Sequence, residues 1–409
     1  MAATAEAANN NNINININNP HLYEGERLET IAGYPTLFKF LPARDHSASN
    51  NKNRPPLMVF IPGASHLARI AYGGHKGYDP RNFLAYWLNA AGYDVLAISY
   101  PLETTIMAPH HPDFRVPAWG QQAAMTTRKV VDENALSGEV VLLGWSMGGK
   151  ILKPFMASAR ECGLRVKLFV ALAATPGGIT GLRAYPAGIR RTAAGYATCA
   201  GFAEAFLRQI HEQQRQEGEN APAIIDDDVF LREYFGHTPV RLTSWGLTYP
   251  DSSNGKNNNN NNIDDSGFIP DEWEALRDAG PTDQDIRGYP FIGSIRPTSM
   301  LDTRHTLCDS ANWGMNLTLK LTADVTKALS SSHRSSSSSS QDEKEHWWNK
   351  LTDLVYSAPA QMTTETVKGT HFFFLGKTGA RATAEAIVRL IEKMERIQRE
   401  MVELLAKLS

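Results

Sequence analysis

The stretch Val140-Val141-Leu142-Leu143-Gly144-Trp145-Ser146-Met147-Gly148-Gly149 decides the fold of this 409-residue chain. Residues 140–143 read as a buried strand, and the periodicity over 150–162 reads as a helix. Between them stands Gly-x-Ser-x-Gly. A turn this sharp holds its central residue in strained backbone geometry and projects the side chain. Small residues two places either side let strand and helix approach, and Gly149 extends that allowance. The start of a helix also favours negative charge developing beside it. Ser146 is therefore the candidate nucleophile. The competing reading is a glycine-rich turn whose serine only caps the helix.

Outward from this point, apolar runs alternate with amphipathic ones. Strands are expected at 34–41 (YPTLFKFL), 57–61 (LMVFI), 93–100 (YDVLAISY) and 166–174 (VKLFVALAA), with helices at 82–91 and 119–133. Continuously apolar strands, each followed by a helix, imply a mostly parallel sheet covered on both faces. Right-handed crossovers make that a doubly wound α/β fold. After Pro176 the alternation lapses. Residues 177–312 are rich in Gly, Pro and aromatic side chains, with helix expected at 190–216. The alternation resumes with a strand at 317–323 (LTLKLTA), a helix at 343–352 and a strand near 360–367. A terminal helix over 383–408 keeps an apolar stripe from Ile387 to Leu404.

A serine nucleophile needs a base and an acid. His371, in Lys368-Gly369-Thr370-His371-Phe372-Phe373-Phe374, follows an expected strand and precedes the last helix. Its imidazole should stand at the carboxyl edge of the sheet, in reach of Ser146. His66, His75, His110, His111 and His305 fit less well. Asp324, at the end of LTLKLTAD, is the expected acid, delivered to the same edge to orient the imidazole. Asp302 and Asp309, in MLDTRHTLCDS, are its rivals if that segment is the strand instead. The order Ser146, Asp324, His371 suits a fold of this kind. An oxyanion hole needs two backbone N–H groups. Met147 should supply one. The loop Pro62-Gly63-Ala64-Ser65-His66 should supply the other, from Ala64 ahead of Ser65.

Composition excludes several classes. Lys and Arg total 41 against 43 Asp and Glu, a net charge of -2, so no bulk attraction to nucleic acid is expected. Three cysteines, Cys162, Cys199 and Cys308, fit neither a disulfide framework nor a zinc site, and no metal or cofactor is expected. No run approaches the ~18 apolar residues of a membrane span. The first residues lack the basic and apolar regions of a secretory signal, so a cytoplasmic protein is expected. The sequon at Asn316-Leu317-Thr318 is then coincidental. The Asn-rich start, the Asn run at 257–262 and the Ser tract at 335–340 are too polar to order themselves. Residues 1–20 read as a disordered tail, 330–342 as a disordered loop and 44–56 as an exposed one.

With VFIPGASH, VVLLGWSMGG, LTLKLTAD and VKGTHFFFL in this order and spacing, the chain resembles the α/β-hydrolase superfamily. The resemblance covers about residues 30–176 and 313–405. It implies an α/β-hydrolase fold whose core is built from 21–176 and 313–409, with a largely helical cap, 177–312, inserted. Aromatic residues of that insertion, among them Trp245, Phe268 and Trp273, either line an acyl or aryl pocket or form the cap's own core. A finer resemblance is to thioesterases that release or edit acyl chains on polyketide and nonribosomal peptide synthases. It rests on an acid after a strand, the Trp347-Trp348 helix and Gly369-Thr370-His371-Phe372. Trp145 departs from it, since those enzymes often carry His before the serine, and so does Pro-Gly in the first loop where His-Gly is common. Serine at the turn disfavours aspartate-nucleophile branches such as epoxide hydrolases. The resemblance implies a serine hydrolase of a specialised-metabolite pathway, cleaving acyl thioesters or carboxylic esters, free or carrier-bound. Two alternatives stand beside it: acyl transfer by the same triad, and a non-catalytic relative that binds a small ligand.

Overall fold

A computed structural model describes residues 21–44, 54–178, 184–243, 245–250, 263–279, 288–332 and 340–408. The Asn-rich tail, the 257–262 run and nearly all of the serine tract lie outside the described residues, as does most of the 44–56 loop.

The first part of the chain runs β1 (Glu26–Ile31), β2 (Tyr34–Leu41), β3 (Leu57–Ile61), α1 (Leu84–Ala90), β4 (Val95–Ile98), α2 (Val116–Glu133), β5 (Glu139–Trp145), α3 (Leu152–Glu161) and β6 (Arg165–Leu172). β1 and β2 pair antiparallel across Ala32-Gly33, both at positive φ, and β2 pairs antiparallel with β4. From β4 onward the sheet is parallel: β4 with β3, β3 with β5, β5 with β6. β3 and β4 are buried along their whole length, so their unbroken apolar runs have two covered faces to fill. The chain steps from β3 to β4 in one direction and from β4 back across β3 to β5 in the other. Right-handed crossovers therefore put α1 on one face and α2 on the other.

Between β6 and the next sheet strand lies the insertion. It holds two short hairpins, β7 (Ile189–Arg191) with β8 (Ala197–Cys199) and β9 (Leu247–Thr248) with β10 (Ile269–Pro270), and the helices α4 (Phe202–Arg215), α5 (Asp227–Glu233) and α6 (Glu272–Ala279). A small apolar cluster of its own, with Ile189, Val240, Trp245, Leu247 and Phe268, accounts for part of its aromatic content. The helix expected over 190–216 is confined to α4. Before it, Thr192 to Gly195 turn one hairpin strand into the next, with Gly195 at positive φ.

The sheet then resumes earlier than expected. β11 (Phe291–Arg296) pairs parallel with β6 and, on its other side, with β12 (Glu365–Thr366). Residues within the 177–312 range thus belong to the sheet, and the insertion ends before Phe291. The eight strands lie in the order β1-β2-β4-β3-β5-β6-β11-β12, which is the α/β-hydrolase arrangement. α7 (Thr303–Ser332), α8 (Gln341–Thr363) and α9 (Lys377–Leu408) complete the chain. The expected strand LTLKLTA is part of α7. Its Leu-Thr-Leu-Lys-Leu-Thr alternation imitates a strand. Yet burial recurs every fourth residue, at His305, Asp309, Trp313, Leu317, Leu321 and Val325, while Leu319 is exposed. Among the described residues, no helix is long and apolar enough to cross a membrane.

Candidate active site

Ser146 stands immediately after β5 with φ +53, in the left-handed region, and begins a 3-10 turn that runs into α3. Its carbonyl accepts the Thr175 N–H at 2.8 Å, which ties the turn to the loop after β6. Close packing explains the flanking glycines. A Cβ on Gly144 would lie 2.8 Å from the Gly148 carbonyl oxygen, and one on Gly148 2.6 Å from that of Ile61. Gly63 in the opposite loop is equally constrained, because its Cβ would meet Ser146 Cβ at 2.7 Å.

The loops after β3, β5, β11 and β12 leave the same edge of the sheet, since these strands run parallel. That topology brings Ala64, Ser146, Asp302 and His371 to one edge. His371 is nearly buried, and its Nδ1 lies 2.6 Å from Asp302 Oδ2. The carboxylate must accept, so Nδ1 carries the proton and Nε2 is left to act as a base. Burial pushes the Asp302 carboxyl up. The charge and hydrogen bond of His371, with His305, outweigh burial and hold it down to about 2. Asp302 directly precedes α7, where the backbone N–H of His305 also serves its carboxylate.

The acid expected at 324 is therefore corrected. Asp324 lies well inside α7 and pairs with Lys320 one turn away, Nζ to Oδ1 at 2.8 Å. The rival Asp302 occupies the position beside His371. The other rival, Asp309, is buried against His305, with Nδ1 at 3.0 and 3.1 Å from its two oxygens, and burial raises its carboxyl. The His305 ring stands 5.0 Å from the His371 ring. Asp302, His305 and His371 form, among the described residues, a group of metal-ligand composition. Hydrogen bonds to acids already engage Nδ1 of both histidines.

Trp145, buried beside Ser146, donates its Nε1–H to the His371 carbonyl at 3.0 Å and packs its ring 5.2 Å from the imidazole. Where the resembled thioesterases often have His, this Trp links the serine turn to the histidine loop. The cap holds the same loop. In α4, Gln209 Oε1 accepts the His371 N–H and Gln213 Oε1 accepts the Thr370 N–H, both at 3.1 Å. Gln213 Nε2 donates to the Leu375 carbonyl. No motif in the sequence points to these two glutamines.

Ala64 and Met147 line a cavity of about 40 Å³ with Ser146, Lys150, Thr175, Thr243 and Trp245. Met147 is the second residue of the 3-10 turn, where an N–H has no acceptor within the turn. Ser65, the second choice for the oxyanion donor, is set aside: its N–H goes to Thr238 Oγ1 at 2.8 Å and Tyr100 Oη at 3.1 Å. His66 is fully buried among Trp145, Phe206, Phe230 and Phe372, and its Nδ1–H donates to the Ala64 carbonyl at 2.6 Å. Desolvation in that aromatic cage lowers its pKa to about 3, so the ring is neutral. Lys150, also buried, donates to the Leu242 carbonyl of the cap at 2.6 Å.

No family model matches the chain, and no curated protein matches it. Among solved structures, it is similar to a bacterial heroin esterase at 12% identity, covering 93% of this chain and 86% of that one, with a TM-score of 0.41. It is similar to the methylesterase MES16 from Arabidopsis at 14% identity, over 83% of this chain and 99% of that one, TM-score 0.39. Against the epoxide hydrolase CorEH without ligand the identity is 16% and the TM-score 0.27. That match covers 40% of this chain and only 46% of that one.

Proposed function

We propose that the protein is a serine hydrolase that cleaves carboxylic esters or acyl thioesters through an acyl-enzyme. The observation that carries this reading is the 2.6 Å Asp302–His371 hydrogen bond at the sheet edge that also presents Ser146 in its left-handed turn. Ser146 Oγ attacks the acyl carbon while His371 Nε2 takes its proton. Asp302 keeps Nδ1–H in place and offsets the charge of the resulting imidazolium. The N–H groups of Met147 and Ala64 receive the oxyanion. The tetrahedral species collapses, breaking the bond to the alcohol or thiol, and the leaving group takes the proton from Nε2. Water then attacks the acyl-enzyme with His371 again as base, releasing the acid and restoring Ser146.

The thioesterase reading is the finer part of this proposal, with small-molecule or carrier-bound acyl groups as substrates. It is supported by the Gly369-Thr370-His371-Phe372 stretch and by Thr243 and Trp245 of the insertion, which line the cavity beside Ser146. The test is labelling with a fluorophosphonate, followed by a panel of acyl-CoA, acyl-carrier and p-nitrophenyl esters. The expected result is a single adduct on Ser146 and turnover that vanishes in Ser146→Ala. An unlabelled Ser146, or a Ser146→Ala variant with full turnover, overturns the proposal.

A further inference from the structure

An oxyanion donor acts only if its N–H is held in direction before the charge develops. The Ala64 N–H belongs to the Gly63–Ala64 peptide. That unit is planar and trans, so its N–H points opposite to the Gly63 carbonyl. The Gly63 carbonyl accepts the phenolic O–H of Tyr100 at 2.9 Å. Tyr100 follows β4 at the floor of the loop and is fully buried. Holding the carbonyl downward turns the Ala64 N–H up, toward the cavity that Ala64 shares with Ser146.

The following peptide is pinned at both poles. Its carbonyl, on Ala64, accepts from His66, and its N–H, on Ser65, is shared between Tyr100 Oη and Thr238 Oγ1. Ser65 itself sits at φ +65, a conformation a non-glycine residue keeps only where neighbours over-determine it. Thr238 comes from the cap, and its hydroxyl lies 3.4 Å from that of Tyr100. Gly236 N–H adds a further strand of contact to the Ser65 carbonyl. The direction of one N–H beside the nucleophile therefore depends on a core phenol and a cap hydroxyl.

We infer that Tyr100 is a positioning residue that aims the Ala64 N–H, and that Thr238 completes this setting when the cap is seated. The inference rests on the serine-hydrolase reading. Its test uses the full-length protein with p-nitrophenyl esters of two to eight carbons, and a phenylboronic acid whose serine adduct places an oxygen in the oxyanion position. Tyr100→Phe removes one oxygen atom. It should lower kcat about 10- to 100-fold, with KM within about twofold, and weaken the boronic acid to a similar degree. Thr238→Val should do the same to a smaller extent, and Thr238→Ser, which keeps the hydroxyl, should restore most of the rate. Undiminished kcat in Tyr100→Phe overturns the inference. So does a rise in KM alone, or an equal loss in Thr238→Ser and Thr238→Val. If Tyr100→Phe does not fold, the Thr238 pair alone decides. A wild-type protein inert to every ester and to the fluorophosphonate removes the hydrolase reading as well. Turnover that ignores these substitutions removes only this inference.

Discussion

Asp302 and His371 share a hydrogen bond of 2.6 Å although 69 residues separate them in sequence. The bond exists because β11 and β12 are parallel neighbours whose following loops meet at one edge. The same helix that begins beside Asp302 carries Asp324 about six turns on, where Lys320 holds it. The two acids are thus separable by substitution. Asp302→Asn should lower kcat by about 10⁴-fold, the cost of losing the acid that sets the imidazole's tautomer. Asp324→Asn should leave turnover unchanged and cost about 1 kcal/mol or less, the usual range for a partly exposed pair. Steady-state kinetics of both variants on one ester decide between them.

Asp302 also makes stability depend on pH. Its carboxyl is held at about 2, below the ordinary 3.8, so the folded state releases that proton more readily than the unfolded chain. A depressed acid contributes stability that is present above the unfolded value and is lost as pH falls from about 4 to about 2. A shift of this size corresponds to about 2 kcal/mol. Asp309 works in the opposite sense. Burial raises its carboxyl, so its contribution is present below the unfolded value and is lost as pH rises through the folded one. Urea unfolding should therefore show the advantage of wild type over Asp302→Asn shrinking by about 1 kcal/mol between pH 6 and pH 3. A difference that stays constant over that interval contradicts the assignment.

Gly63 leaves no room for a methyl group. Its Cβ would stand 2.7 Å from Ser146 Cβ and 3.2 Å from both Ser146 Oγ and Trp145 Cε3. Gly63→Ala should fold with a loss of about 1–3 kcal/mol, the range for overpacking. Turnover should fall at least about 100-fold, because nucleophile and oxyanion loop are pushed apart. Circular dichroism melts and kinetics on the same preparation measure both effects.

Gln213 is a buried bridge between cap and histidine loop. Gln213→Ala strands the Thr370 N–H and the Leu375 carbonyl, which should cost about 1–3 kcal/mol for the buried groups left unmade. Since Gln209 still holds the His371 N–H, activity should decline through kcat more than KM. Urea unfolding and a kinetic split on one ester test this.

The serine turn and the histidine loop were legible in the sequence because their local chemistry matches their place. Gly144 is required by a backbone contact within the turn, Gly148 and Gly149 by carbonyls at the end of β3 and in the loop after β6. His371 follows a strand, Glu365–Thr366, shorter than the one expected near 360–367 because α8 runs on to Thr363. The carboxylate that meets His371 was not legible as first choice. The alternation over 317–323 has a strand's period, yet its helix is set by tertiary burial every fourth residue from His305 to Val325. β11, Phe-Ile-Gly-Ser-Ile-Arg, is a short strand with a central glycine, next to a Pro-rich and aromatic stretch. Its neighbour composition concealed it. Gly293 fits there because Leu390 of α9 approaches its backbone, a contact no local pattern reveals. Gln209, Gln213, Tyr100 and Thr238 belong to no motif. Their importance comes only from which backbone groups they meet.

The hydrogen bonds between insertion and core carry a lesson for anyone trimming this protein. Thr238, Gln209, Gln213 and Leu242 satisfy, in turn, the N–H groups of Ser65, His371 and Thr370 and the ammonium of Lys150. Excising the insertion, or exchanging it for that of another hydrolase to alter selectivity, would strip partners from the three loops around the serine at once. A chimaera with a new lid therefore has to import acceptors at those four positions, whatever surface it offers to substrate.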